Sequence, residues 1–468
     1  MAGTFLKGET KVRPGAYFRV EKAGTDAVTG ADDGTVCALF HADFGPIGVA
    51  KVLSTTDNYE KIYGNGGTTD MLREIFQESP KKVVCVRVGE GGTEAKTTLK
   101  AGETDAVTIT AKYPGSKNFA VTVKEKASDS SKKQVIIYSG GSVFETYEYD
   151  KDEKDEVPAI IAAFRDSESF AVAKVSDTAS GVIKEVAAQA FTVGTDPNVT
   201  TADYSNAFTV AEKYRFNAIA IDSDKHDIHL LLAAFLDRIY NVGQLAVGFV
   251  AEDPDLGLAD REANAAAYNN VKIGYVLNAD VEEADVEVKS YLVAARIAAL
   301  YAVTSASKSL THAVISGWTA LKEPLTPTQI TEAEQKGCIV LSTNASGQVW
   351  IDYAINTLVT PDDEQDEGWK KLRRTKTRFE LMTRCNDQAD SMIGKVNNDT
   401  NGRATVVAQL QTIVNSMVSE GKLVQGTVSE DTANTADGDY AFFVIDVVDL
   451  DSIEHIYLTY RFRFSSIV

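Results

Sequence analysis

The stretch FNAIAIDSDKHDIHLLLAAFLDRIYNVGQLAVGFVA, residues 216–251, decides the fold. It opens on a short continuous apolar run, FNAIAI, and closes on another, QLAVGFVA. Between them DKHDIHLLLAAFLDRIYN has the length and spacing of a helix. Apolar runs without polar alternation suit strands covered on both faces, and strands alternating with helices predict a mostly parallel sheet. The pattern continues downstream. ADREANAAAYNN reads as a helix, VKIGYVL as a strand, VKSYLVAARIAALYAV as a helix, PTQITEAEQKG as a helix and CIVLS as a strand, and GQVWIDYAINTLV closes the region. Upstream, TVCALF and VVCVRV read as two more strands. The helix TDMLREIFQES lies between them. It has Thr69 or Asp70 as its cap, Met71, Leu72, Ile75 and Phe76 on one apolar face, and Pro80 as its stop.

Composition changes near Gly89, where GEGGTEAKTT reads as a linker. From Thr104 to Tyr149 come four short alternating segments, AVTITAKY, FAVTVKE, QVIIYS and FETYEY, separated by Pro-Gly, Ser-rich and Gly-Gly turns. The helix VPAIIAAF, with Pro158 in its first turn, and the strand FAVAKV follow. This predicts a small all-β unit inserted into the α/β region.

The last hundred residues differ again. Acidic DDEQDEG precedes basic WKKLRRTKTRFELMTR, which carries Lys370, Lys371, Arg373, Arg374, Lys376, Arg378 and Arg384 against the single acid Glu380. A nucleic-acid patch, a solvated helix or strand face, and a protein-docking surface are the three readings of such a run. A formal net charge of −20 weighs against the first and against anionic membranes. Val406, Val407, Leu410, Ile413, Val414, Met417 and Val418 then trace one helical face, with Gly421 at the C′ position. YAFFVIDVVDL and IYLTYRFRF finish the chain as strands. In the second, Ile456, Leu458, Tyr460, Phe462 and Phe464 alternate with Tyr457, Thr459, Arg461 and Arg463, a strand with one face to bury. Residues 1–22 are polar, with Pro14 at the approach to an extended segment at 17–20, and read as an arm.

The expected fold class is therefore an α/β core with a mostly parallel sheet, an inserted small all-β domain, an α+β C-terminal domain and extended terminal arms. The expected boundaries are 1–22 for the N-terminal arm, 23–95 and 191–360 for the core, and 96–190 for the insert. The C-terminal domain takes 361–450 and the C-terminal arm 451–468.

Few residues invite chemistry. DSDKHDIH places Asp222, Asp224, His226, Asp227 and His229 at a strand end, where α/β sheets bind ligands. A hydrolase or metal site using Asp222, His226 and His229 is one reading. Helix capping by Asp222 or Asp224 is the other, and it is favoured. GNGG and GEGG lack a following GK[ST], no GxGxxG opens a helix after a strand, and no GxSxG elbow occurs. Cys37, Cys85, Cys338 and Cys385 are far apart and form no metal-binding pattern, so they read as buried reduced thiols. The opening MAGTFLKGETKVRPG has no apolar h-region, which predicts no signal peptide. The most apolar stretch, around YLVAARIAALYAV, is broken by Arg296, Lys308 and His312 and reads as a buried helix of small residues.

Taken in order, several segments resemble one family, the tail sheath proteins of contractile phage tails and phage-tail-like bacteriocins. KVRPGAYFRV resembles its N-terminal R-P-G-x-Y segment, and ADFGPIGVAKVLST, VVCVRVGEGG and ITAKYPGSKNFAVTV resemble the stretches that follow. AAYNNVKIGYVL with YLVAARIAALYAVTSASKSLTHAVI resembles the core, and IGKVNNDTNGR with its helix and Gly421 resembles the C-terminal domain. The chain departs at Phe119 and Ala120, where the family suggests a more polar turn.

The resemblance implies a structural, non-enzymatic subunit without cofactor, found in a virion tail or tail-like particle and made in the host cytoplasm. Such subunits stack around a tail tube and contract. Their partners are further copies of the chain, the tube protein, and baseplate and tail terminator proteins. It also implies terminal arms that complete a neighbour's C-terminal sheet. On this chain the arm strands fall at Val12, Ala16, Phe18 and Val20, and at Ile456, Leu458, Tyr460, Phe462 and Phe464. A hinge is expected at 449–454, and the tube-facing charges are Lys370, Lys371, Arg373 and Arg374.

Overall fold

Seven short strands form the central sheet of the computed structural model, which describes residues 34–64, 70–363 and 365–463 together with the backbone pairs Gly3–Thr4 and Tyr17–Phe18. The strands are β1 (Thr35–Phe40), β2 (Ala50–Leu53), β3 (Lys82–Arg87), β4 (Ala218–Ile221), β5 (Val247–Val250), β6 (Ile273–Val276) and β7 (Cys338–Ile339). Their order across the sheet is 7-6-5-4-1-3-2, with every pair parallel except the antiparallel edge strand β2. The apolar runs form strands because both of their faces are covered. Every residue of β1, β4, β5 and β6 is buried.

The strand pleat sorts these residues between two layers. Val36, Ala38, Phe40, Ala218, Ala220, Val247 and Phe249 face one hydrophobic core, and Cys37, Leu39, Ile219, Ile221 and Val250 face the other. The first core is built on helices α1 (Asp70–Gln77) and α3 (Ser290–Val303), and the second includes α2 (His226–Asn241). Helix α3 is buried on all sides, every residue but Leu300 and Val303, as its run of small residues suggests. No helix among the described residues is long and apolar enough to cross a membrane. Arg296 in α3 is compensated inside the protein. Its guanidinium meets Glu74 at 3.2 Å and the Ser316 carbonyl at 2.9 Å, with Glu78 and Gln77 alongside.

Between β3 and β4 the chain builds two antiparallel sheets. One holds Phe170–Lys174, Thr104–Pro114 and Glu94–Ala101, and the other Ser142–Asp150, Asp129–Ser139, Ala120–Lys126 and Val186–Ala190. They share a core of their own. Phe119, the departure from the family pattern, is its hub. Its ring lies 5.1 Å from Phe170, 5.3 Å from Phe44 and 5.3 Å from Phe144. A polar turn there would leave these aromatic edges unpacked. The segment read as a linker is half strand, because Glu94–Ala101 turns Ala95, Thr97 and Leu99 inward. Buried Arg87 ties this region to the central sheet, donating to the carbonyls of Ala42 at 2.7 Å, Gly45 at 2.7 Å and Pro114 at 2.9 Å.

The C-terminal part is α4 (Leu372–Met392), α5 (Thr400–Ser419) and a hairpin of β8 (Leu423–Glu430) and β9 (Phe443–Asp449). Helix α4 belongs to two cores at once: Leu372 and Phe379 pack into the central one, Leu381 and Cys385 against α5 and the hairpin. Gly421, at φ +71°, ends α5 as its C′ residue, with its amide on the Val418 carbonyl at 3.0 Å. All four cysteines are free and buried, and burial pushes the thiols up, Cys338 to about 12 and Cys385 to about 11.

Candidate assembly interface

After β9 the chain leaves the hairpin and runs into a segment that pairs with no strand among the described residues. Residues 456–463, expected as a closing strand, make no ladder among the described residues. Their apolar side chains lie open: Ile456 is 72% exposed, Leu458 68%, Tyr460 72%, and Tyr457 and Phe462 93% each. Isolated exposed apolar residues are ordinary, but a contiguous run marks a surface that something covers. Phe464, Val12, Ala16 and Val20 lie outside the described residues, and Phe18 is described only in its backbone, which pairs in parallel with Thr4.

The C-terminal hairpin offers the complementary feature. Strands β8 and β9 pair only with each other among the described residues, so each presents an open edge. A two-stranded sheet is marginal by itself, and here α4 and α5 back it. Beside β9 the backing is incomplete. A groove of 380 Å³ is lined by Leu381, Met382, Cys385, Ile445 and Val447, and a second of 340 Å³ by Met392, Ile393, Val406, Leu410 and Phe443.

The basic run does not face outward. Lys371 reaches Asp451 at 2.7 Å and Glu454 at 2.8 Å. Arg373, only 5% exposed, donates to Ser452 Oγ at 3.0 Å and to the Ala306 carbonyl at 3.3 Å. Arg374 holds Asp449 with two hydrogen bonds of 2.9 and 2.5 Å, and Arg378 reaches the same carboxylate at 2.9 Å. Burial pushes the Asp449 carboxyl up, but Arg374 and Arg378 outweigh it and hold it below its usual range. Lys376 donates to the carbonyls of Tyr301, Ala302 and Thr304. Of the four residues read as tube-facing, Lys371 and Arg374 are thus held by the chain's own acids, Arg373 by Ser452 and the Ala306 carbonyl, and Lys370 pairs with the exposed Glu367. The segment 449–454, where a hinge is expected, is held by these same contacts through Asp449, Asp451 and Glu454.

The candidate catalytic cluster disperses. Asp222 faces His41 and accepts from Tyr204 at 2.8 Å. Burial lowers the His41 pKa, but its hydrogen bond and charge interaction with Asp222 raise it overall. His226 meets Glu252 at 2.7 Å, and fully buried His229 meets the Ser223 carbonyl at 2.7 Å. The three side chains therefore serve separate sets of partners. Nor does either acid cap α2: the N-cap residue is Lys225, whose amide donates to Ser223 Oγ at 3.2 Å.

One carboxyl elsewhere, in the helix Pro327–Gln335, titrates near neutrality. Burial and the charge of Asp352 push Glu334 up from 4.5 to about 7. The folded state therefore favours the protonated acid. This contribution to stability is full below pH 4.5 and is lost as the pH rises through 7. Glu334→Gln, which keeps the neutral form, is expected to raise the melting temperature at pH 8 and to leave it nearly unchanged at pH 4.5. Thermal melts of both proteins across this range check the sign.

These features agree with what the chain resembles. Residues 197–357, which hold β4 to β7, α2 and α3, match the family model of the phage tail sheath protein central domain. A curated relative, the phage-like element PBSX protein XkdK of Bacillus subtilis, is 23% identical over 381 residues, covering 79% of this chain and 78% of its own. The sheath tail protein of Desulfitobacterium hafniense superimposes with a TM-score of 0.70 at 18% identity, covering 93% of this chain and 100% of that one. The helical sheath of the anti-feeding prophage, solved in its contracted state, superimposes with a TM-score of 0.55 at 11% identity over 97% and 99%. At these identities the likeness is one of fold.

Proposed function

We propose that this chain is the structural subunit of a contractile sheath that polymerises around a tail tube by donating its C-terminal strand to a neighbour. The observation that carries this reading is the pairing of two incomplete parts. An exposed alternating ribbon, 456–463, has no strand mate among the described residues. The hairpin β8–β9 has open edges beside apolar grooves. Strand addition supplies main-chain hydrogen bonds for affinity and seats alternate side chains for register. The Ile456, Leu458, Tyr460 and Phe462 face of one copy lies over the Ile445, Val447 and Met382 surface of another. Arg461 and Arg463 discourage random edge pairing before assembly. The arms at 1–22 and 451–468 flank a core, an insert and a C-terminal domain divided as the sequence suggests.

The further partners of this reading are a tube protein, a baseplate and a tail terminator, in a virion tail or tail-like particle assembled in the host cytoplasm. Contraction moves subunits whose arms stay joined. No tube contact is placed on Arg373 or Arg374, which are engaged within the subunit. Purified protein brought to high salt or precipitant and viewed by negative-stain microscopy tests the proposal. Hollow tubes of uniform width are expected. Monodisperse subunits with hydrolytic turnover that is lost in Asp222→Asn would overturn it.

A further inference from the structure

Between the hairpin and the exposed ribbon, the chain crosses α4 and touches the central region at Ser309 and Thr311. Every carboxylate on this crossing is held from two sides. Asp449 lies between Arg374 and Arg378. Asp451 faces Lys371 at 2.7 Å and Arg373 at 3.8 Å. Glu454 takes Lys371 on one oxygen, and on the other accepts from Ser309 at 2.8 Å and Thr311 at 3.1 Å. The side chains of Asp449 and Glu454 are 8% and 5% exposed. Exposed ion pairs hold little, but pairs this buried are costly to break, because the surviving partner stays desolvated. Just past them His455 lies against Tyr353, ring to ring at 6.3 Å.

We propose that Asp449, Asp451 and Glu454, gripped by Lys371, Arg373, Arg374 and Arg378, form a clamp that fixes where the C-terminal arm leaves the subunit, so that its free reach begins at His455. These are positioning residues for strand exchange, and the inference rests on the reading of 456–463 as the exchanged strand. The mounting supports the role. Helix α4 is embedded in both the central and the C-terminal core, so a pull on the arm passes into both. The clamp also sets a length. An extended chain spans about 3.3 Å per residue, so moving the take-off point from 449 to 455 removes about 20 Å of slack. With that slack gone, the distance between joined subunits is set by the ribbon itself.

The test uses the full chain carrying Asp449→Asn, Asp451→Asn and Glu454→Gln, with Glu454→Gln alone as a milder variant that keeps the hydroxyl contacts. Hydrogen exchange on the unassembled subunit reads the clamp without requiring assembly. The amides of Leu450 and Ser452, which donate to the Lys422 carbonyl and to Asp451 Oδ1, are expected to exchange at least about tenfold faster in the triple variant and less so in the single one, with β8, β9 and the central sheet unchanged. Tubes of the variant are expected to show a broadened helical rise against the wild type. Unchanged protection at Leu450 and Ser452, or a freed segment in tubes as uniform as the wild type, overturns the clamp. Failure of the wild-type protein to form tubes counts instead against the assembly reading.

Discussion

A subunit lacking residues 456–468 is expected to fold and melt like the full chain and to form no tubes. The first half follows from exposure. The described part of the segment buries almost none of its apolar surface in its own subunit, and losses at such sites change stability by about 0.5 kcal/mol or less. The second half follows from what the polymer loses. Each main-chain hydrogen bond of an added strand is worth about 0.5–1.5 kcal/mol net, and each large apolar side chain buried about 1.5–3 kcal/mol. Four such side chains and a ladder of bonds come to about 10 kcal/mol before the cost of association, which takes a comparable amount. Removing the segment leaves association with nothing to offset that cost. Circular dichroism and thermal melting check the fold, and microscopy checks the tubes. Tubes of normal length from the truncated chain would remove the basis for strand exchange.

Reversing Arg373 and Arg374 to Glu is expected to cripple the fold rather than one docking surface. Arg373 sits in the protein with its guanidinium on the Ala306 carbonyl, and Arg374 neutralises a buried Asp449. A Glu at either place sets like charges together out of water. Breaking a buried pair by removing one partner already costs about 3–5 kcal/mol, and reversal costs more. A large drop in the denaturant midpoint is the expected readout. Lys370→Glu, at a half-exposed position beside the exposed Glu367, is expected to shift it by about 0.5 kcal/mol or less. A double variant that keeps the wild-type midpoint while losing only tube binding would return these arginines to the tube-facing surface.

The contrast shows what a sequence exposes to inspection. β4, β5 and β6 could be read because strands buried on both faces leave continuous apolar runs. The end of α5 could be read because only a residue tolerant of positive φ suits Gly421. The terminal ribbon's alternation was equally plain. α4 was opaque as a structural element for a physical reason: its polar positions are buried by partners about seventy to eighty residues away in sequence, as Arg374 is by Asp449 and Lys376 by the Tyr301 carbonyl. β8 was missed because Gly426 interrupts LVQGTVSE. That glycine serves packing, since a side chain there would meet Val447 at 2.6 Å and Val414 at 2.7 Å. The helix Thr201–Ala211 carried a readable signal, the reciprocal Thr200 and Asp203 cap, which passed unnoticed within TTADY. The dispersal of Asp222, His226 and His229 rests on His41, Glu252 and the Ser223 carbonyl, and local spacing says nothing of those partners.

The place of β4 in the central sheet has a consequence for how the chain matures on the ribosome. β1 lies between β3 and β4, yet more than a hundred residues separate β3 from β4 along the polypeptide. The paired antiparallel sheets in that interval close mostly on neighbours in sequence and own a separate core, so they can consolidate while the parallel layer is still half built. The scaffold is therefore finished after the module it carries, and its strand β1 waits with one flank uncovered until residue 221 has emerged.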